Sequence, residues 1–379
     1  MPAPSVLRSP CVRVSWITKN YLEPLSIPVM PEFRTPPPVE PGDQVAVVAP
    51  ASNAPESARF VYELGLERMR EVYDLDPVEY PTATADPEWL ADNPEARAGE
   101  VMDGFRDSDI SAVIANIGGH DQISILPYLD GDVLREHPTR FYGYSDNTNL
   151  ALFLWNHGIV SYYGGSTLLE YAMDGEMFDY TKGYLKRALF EDSIGEWTEA
   201  EVFTDEAGDW ENPESVETTR EIEQSDGRIW RGGEETVSGR IWGGCHAVLV
   251  EQFLADRYLP DHDALNGAVL ALETSELIPD PAVVGANLRA LGERGLLERF
   301  DGVLVGRAAA RSHVEENPQE RRVRYRERQR DTVADVLETY NPSAPIVFDC
   351  EFGHTYPTCP IPIGGEVKIA PSTKSIRFF

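Results

Sequence analysis

The pattern that most constrains the fold is a repeated pair: a short apolar run closed by a small-residue turn, then a stretch with apolar residues at helical spacing. QVAVVAPAS, from Gln44, leads into SARFVYELGLERMREVY. ISAVIANIGGHDQISILPYLD holds a strand over Ala112–Ile117, a Gly-Gly turn and a short helix towards Leu129. TRFYGYSDNTNLALFLWNHG places a strand over Arg140–Tyr144 ahead of a helix from Asp146 to about Asn156, and IVSYYGGS follows as another strand. Buried runs that alternate with helices imply an α/β fold, a parallel sheet covered on both faces, because each parallel pairing needs a crossover. In such sheets ligands meet the loops at the carboxyl ends of the strands.

The alternation stops between Glu191 and Val237, where sixteen acidic residues face three basic ones. It resumes near Ser238 with GRIWGGCHAVLVEQFL, the buried strand AVLALETSE, the helix VVGANLRALGERGLLERF, the strand GVLVGRAA, a charged helix RRVRYRERQRDTVADVLETY and the closing runs APIVFDCEFGH and GGEVKIAPS. A chain of 379 residues also suits two domains better than one. The expected division is a poorly structured, proline-rich extension over 1–38, an N-terminal α/β domain over 39–190, an acidic connector loop over 191–237 and a C-terminal β/α domain over 238–379. Residues 1–29 carry one acid, Glu23, against Arg8, Arg13 and Lys19, and the acidic character of the body starts at Met30. Met30 is therefore an alternative start to Met1. The extension lacks the apolar region and A-x-A site of a signal peptide.

The formal charge is −31, from 33 basic and 64 acidic groups, and only five of the basic groups are lysines. Nucleic acid is excluded as a partner, since binding it requires a basic stripe to neutralise phosphates. Apolar runs such as QVAVVAPA and AVLALE are under half the ~20 residues that span a bilayer, so a membrane partner is not expected. A carboxylate surplus with few lysines suits a protein kept soluble in concentrated salt, and a cytoplasm adapted to high salt is the expected setting. Cys11, Cys245, Cys350 and Cys359 read as reduced thiols. Cys350, His354 and Cys359 are too few and too unevenly spaced for a zinc site, so no metal is expected.

Three residues stand at the carboxyl ends of expected strands. Ser145, in FYGYSDNT, lies where a strand turns into a helix, a place that suits a nucleophile near backbone amides and equally suits an ordinary N-cap. Glu273 closes the apolar strand AVLALE, where an ionised carboxylate needs a partner. His354, in FDCEFGHTYP, follows a strand and a glycine; such a histidine is often structural, but it is the base that Ser145 would need. Gly118-Gly119 allows close backbone approach to a ligand, or simply makes a tight turn. Together, a serine, a glutamate and a histidine supply a nucleophile, an orienting carboxylate and a general base.

At this point the chain resembles the family of LD-carboxypeptidases and microcin C immunity proteins. The likeness runs in order through PGDQVAVVAPAS, NIGG, ILPYLD, YGYSDNTNLAL, YYGGS, VSGRIWGG, LALETSE and FGHTYPTCPIPIGGEVKI, from about Val39 to near the C-terminus. The resemblance implies Ser145 as nucleophile, Glu273 as triad acid and His354 as base, with the oxyanion held by the backbone N–H groups of Gly119 and Asp146. It further implies a flavodoxin-like or Rossmann-like N-terminal half and a swivelling β/α C-terminal half, the active site at their interface, no cofactor and a homodimer. One departure is Cys245, followed by His246, where the family commonly has an asparagine after the paired glycine.

Within the family, NIGG, LPYLD and the long connector look more like the immunity branch, which cleaves amides that join an aminoacyl or peptidyl group to a nucleotide-like group. Trp197, Trp210 and Trp230 would be the aromatic candidates for stacking on a base. The alternatives are an LD-carboxypeptidase acting on murein-type tetrapeptides, and a non-catalytic protein that binds a small ligand on the same frame.

Overall fold

The computed structural model describes residues 32–54, 56–311 and 317–379. Strands β1 (Gln44–Val48), β2 (Asp76–Glu79), β3 (Ile110–Ala115), β4 (Arg140–Tyr142) and β5 (Ser161–Tyr163) run parallel in the spatial order β2-β1-β3-β4-β5. This is the flavodoxin-like order, in which the winding reverses between β1 and β3 and opens a crevice at their carboxyl ends. Residues alternate along β1 as a strand requires. Val45 and Val47 pack with Val61, Leu66 and Met69 of the helix Arg59–Tyr73, whereas Ala46 and Val48 pack with Ala98, Val101 and Phe105 of the helix Pro94–Arg106.

A two-stranded antiparallel ribbon, β6 (Val202–Phe203) and β7 (Glu223–Gln224), precedes a seven-stranded sheet. That sheet is built on four parallel strands, β9 (Val237–Cys245), β10 (Ala268–Glu273), β11 (Phe300–Gly306) and β12 (Pro345–Cys350). One antiparallel flank is β8 (Ile229–Gly232), on β12; the other is β14 (Glu366–Ala370), on β9, with β15 (Ser375–Phe378) beyond it. Strand β13 (Ile361–Ile363) crosses over and pairs antiparallel with β5. The two halves thus share a hydrogen-bonded edge, which sets the ends of β4 and β5 against the ends of β10 and β12.

Several boundaries differ from expectation. Residues 1–31 of the expected extension lie outside the described residues, but 32–38 are held on the first domain rather than poorly structured. Arg34 bridges to Ile159, and the Arg140 guanidinium donates to the carbonyls of Pro36 and Pro37. The expected acidic connector contributes β8 to the second sheet, and the expected C-terminal domain gives β13 to the first. The acids of the connector are also not simply solvated. Asp205 is buried and paired with Arg311 and Arg326, Glu223 is paired with Arg322 and Arg326, and the connector's Arg228 is itself buried against Glu351, just past β12. Arginine makes all of these pairs, because its planar fork satisfies a buried carboxylate through several hydrogen bonds where lysine offers a point charge. The strand expected over Arg140–Tyr144 ends at Tyr142, and the following helix begins as a 3-10 turn over Ser145–Asn147.

Candidate active site

Ser145 stands three residues past β4 with φ of 63°, a left-handed conformation that costs a non-glycine residue energy and needs support from its surroundings. Its N–H donates to Tyr163 Oη at 3.2 Å, and its carbonyl accepts from Thr148 Oγ1 at 2.6 Å. The next side chain, Asp146, is buried and accepts from the N–H groups of Asp121 and Gln122, each at 2.9 Å, and from Asn149 Nδ2 at 3.0 Å. These bonds tie the loop after β4 to the loop after β3. Neither helical segment receives a cap from the Ser145 hydroxyl, which instead lies 3.1 Å from His354 Nε2.

Gly118 and Gly119 are not at positive φ. What they allow is close approach. A Cβ on Gly118 would sit 2.7 Å from Ser145 Cβ and 2.9 Å from its Oγ, and one on Gly119 would sit 3.2 Å from Asp146 Oδ2. Among the described residues, the N–H groups of Gly119 and Asp146 donate to no protein acceptor. Amides on two adjoining loops, one of them on the residue that follows the serine, are the kind of donor that stabilising an oxyanion requires.

His354 follows β12 and Gly353, whose φ is 94° and whose missing Cβ leaves room for Glu273; a Cβ there would be 2.6 Å from Glu273 Oε2. His354 Nδ1 is 2.7 Å from Glu273 Oε2, and Tyr163 donates to Glu273 Oε1 at 2.7 Å. Both oxygens of the buried carboxylate are therefore satisfied. The relay runs Ser145 Oγ, His354 Nε2, His354 Nδ1, Glu273, and joins the ends of β4, β12 and β10. Burial of Glu273 favours its neutral form, yet the charge and hydrogen bond of His354 and the Tyr163 hydroxyl hold it below the usual carboxylate range. Burial likewise disfavours the His354 imidazolium, but Glu273, then Glu276 and Glu170, outweigh that and push it up to about 9. Cys245, at the end of β9, is buried, and burial followed by the nearby Glu273 pushes its thiol well up, so it is no thiolate nucleophile. Among the described residues no group of three or more His, Cys, Asp or Glu is arranged to hold a metal ion.

The relay opens into a cavity of about 390 Å³ lined by Ser52, Asn53, Gly118, Gly119, Trp210 and Glu276, among others. Ser52 and Asn53 follow β1, so the cavity occupies the crevice at the sheet's switch point. Of the three tryptophans singled out from the sequence, only Trp210 lines it. Trp197 is buried in the core, with the Arg228 guanidinium 4.1 Å over its ring and Phe352 and Phe378 against it. Trp230 is in β8, opposite Val347 of β12. Sequence reasoning missed Tyr163 and Glu276, although both stand inside blocks it singled out, YYGGS and LALETSE; it also missed Arg220 and Arg311, which line the cavity from the connector and from the segment after β11.

Among the described residues, no helix is long and apolar enough to cross a membrane. Residues 45–164 match the LD-carboxypeptidase N-terminal domain and residues 238–369 the LD-carboxypeptidase C-terminal domain. A protein of Streptomyces coelicolor named as a carboxypeptidase is 27% identical over 358 residues, covering 92% of this chain and 96% of its own. The microcin C7 self-immunity protein MccF of Escherichia coli is 24% identical over 285 residues, covering 74% and 77%. Among solved structures, an MccF-like protein from Streptococcus pneumoniae in complex with AMP superposes with a TM-score of 0.80 at 26% identity, over 89% of this chain and 98% of that one. MccF in complex with aspartyl sulfamoyl adenosine gives a TM-score of 0.76 at 20% identity, over 90% and 97%, a likeness of fold. Two domain models in the expected order, with a carboxypeptidase-named relative along nearly the whole chain, fix the relationship: the chain belongs to the LD-carboxypeptidase family of serine carboxypeptidase-type hydrolases.

Proposed function

We propose that the protein is a serine amidase in which Ser145, His354 and Glu273 act as nucleophile, general base and orienting carboxylate. The observation that carries this is the continuous relay from Ser145 Oγ through His354 to Glu273. In the proposed reaction Ser145 Oγ attacks the amide carbonyl carbon while His354 Nε2 takes its proton. The oxyanion is held by the N–H groups of Gly119 and Asp146. His354 then gives its proton to the leaving nitrogen as the C–N bond breaks and an ester to Ser145 remains. Water, deprotonated by the same imidazole, attacks that ester and releases the acid.

The microcin-immunity branch is the reading favoured for the substrate, an amide between an aminoacyl or peptidyl group and a nucleotide-like group. Trp210 on the connector supports it, because an aromatic face at the cavity wall offers a stacking surface to a base. Relatives of this fold have been solved with AMP and with aspartyl sulfamoyl adenosine. A panel run in molar salt tests the assignment, with an L,D-tetrapeptide, ordinary dipeptides and aminoacyl-sulfamoyl-adenosines as substrates. Turnover of the sulfamoyl-adenosines alone is expected. Turnover of the tetrapeptide alone would move the protein to the murein branch, and turnover of none would favour a binding protein.

Tyr163 is proposed as a positioning residue, since its hydroxyl joins the Ser145 N–H to Glu273 Oε1. Tyr163→Phe is expected to lower kcat roughly tenfold to a hundredfold, the worth of one hydrogen bond to a charged group. Without that donor the carboxylate is a stronger partner for the imidazolium, so the acid limb of kcat/KM should move to higher pH. An unmoved limb would reduce Tyr163 to a packing role.

A further inference from the structure

The imidazole of His354 meets a carboxylate at each nitrogen. Glu273 is hydrogen-bonded to Nδ1, and Glu276, three residues on, brings Oε2 within 3.2 Å of Nε2, the nitrogen that also faces Ser145. The turn after β10 makes this possible: Ile278 N–H donates to the Ser275 carbonyl, with Ile278 itself at φ of 50°, and the chain folds back over the histidine. The Glu276 contact has the distance of an ion pair but makes no hydrogen bond, and Oε2 is a buried oxygen without a donor. A buried acceptor left unmade costs free energy, and this one lies beside the reacting atoms.

The charges on the cavity wall are unequally matched. Arg220 is engaged by Asp174 and by the Glu206 carbonyl, and Arg311 by Asp205 and Glu221. Among the described residues Glu276 and Glu251, which also line the cavity, are paired with no arginine or lysine. Glu276, whose charged neighbour is the His354 imidazole and not an arginine or lysine, attracts a cation on the substrate. That cation belongs on the acyl side. The leaving residue of a carboxypeptidase carries a carboxylate, which Glu276 would repel, whereas the α-nitrogen of the acyl residue lies only ~2.5 Å from the carbonyl carbon.

We propose that Glu276 binds the α-ammonium of the acyl residue, so that the site selects aminoacyl amides with a free amino group over N-acylated peptides. The proposal rests on the serine-amidase reading and names the substrate class of that site. It also links recognition to chemistry. The groups facing His354 are Glu273 and Glu276 from β10 and its turn, Glu170 from the segment after β5, Tyr144 from the end of β4, and Ser145. Of the carboxylates, Glu276 is the one that a substrate in the cavity reaches. An ammonium there offsets its charge, weakens the hold on the imidazolium proton and favours the basic form of His354 in the complex.

The experiment compares alanyl-, leucyl- and aspartyl-sulfamoyl-adenosine with their N-acetyl derivatives, on the wild type and on Glu276→Gln. The wild type is expected to prefer the free amines by about tenfold to a hundredfold in kcat/KM, as one charged hydrogen bond provides. The variant should lose most of that preference, and its acid limb of kcat/KM should move to lower pH because a carboxylate has left the imidazolium. Equal handling of the pairs by the wild type, or an unchanged preference in the variant, overturns the proposal. Calorimetry separates it from the reading beneath it. If the wild type turns over neither member of any pair, the amidase reading fails on these substrates. Tighter binding of the free amines to the wild type, lost in Glu276→Gln, would still uphold the ammonium subsite, and equal or absent binding would overturn it.

Discussion

Ser145→Ala is expected to lower kcat about a millionfold, the scale on which loss of the nucleophile disables a serine triad, with the fold left intact. The fold should survive because, among the described residues, the Ser145 hydroxyl has one hydrogen-bond partner, His354, and caps no helix. The bonds that secure the loop use the Ser145 backbone and the Asp146 side chain, and the substitution touches neither. Alanine pays a left-handed backbone cost similar to that of serine, so the strained φ of 63° gives no separate reason to unfold. Matched thermal unfolding of variant and wild type, followed by turnover on the best substrate of the panel, checks both halves of the prediction. Activity within tenfold of wild type would remove Ser145 from the nucleophile's place. A collapsed melting temperature would show that the hydroxyl does more for the loop than its one hydrogen bond.

Much of this arrangement was legible in the sequence because it rests on local patterns. The βα repeats have strand and helix periods that a single chain displays, and the parallel first sheet follows from them. Ser145, Glu273 and His354 each end or follow an apolar run, so their placement at strand ends was readable without tertiary information. The side chain that joins them was not. Tyr163 sits in an apolar strand where nothing distinguishes it from a core tyrosine, and its role depends on β13 arriving from some two hundred residues away to seat β5 beside β10. Glu276 differs from any surface glutamate only by the turn after β10. The connector misled for a related reason. Its acids lack periodicity, and their partners, Arg311, Arg322 and Arg326, lie about ninety or more residues downstream. Trp197 and Trp230 share that stretch, and whether an aromatic ring faces the cavity or the core is decided by strand pairing that composition does not carry.

Glu273→Gln should lower kcat by roughly 10⁴, the loss recorded when the carboxylate of a triad becomes an amide of the same shape. The fall has two sources here. A glutamine can turn its amide nitrogen towards His354 Nδ1 and force the tautomer that leaves a proton, rather than a lone pair, on the nitrogen facing Ser145. It also removes the buried charge that balances the imidazolium. The pH dependence tells these apart. In the wild type, His354 is pushed up to about 9, so the neutral imidazole that can accept a proton accumulates as pH rises, and kcat/KM of the free enzyme should climb until about that pH. In Glu273→Gln the largest stabiliser of the imidazolium is gone while the burial that opposes it remains, so the acid limb should move to lower pH even as the plateau falls. Tyr163→Phe moves the limb in the other direction, because it leaves the charge and takes away a donor that shares it. Opposite shifts in the two variants, measured as pH–rate profiles from pH 5 to 10, would place the proton-holding charge on Glu273. A limb that stays put in Glu273→Gln would mean that Glu276 or Glu170 holds the proton instead, and that Glu273 only orients the ring.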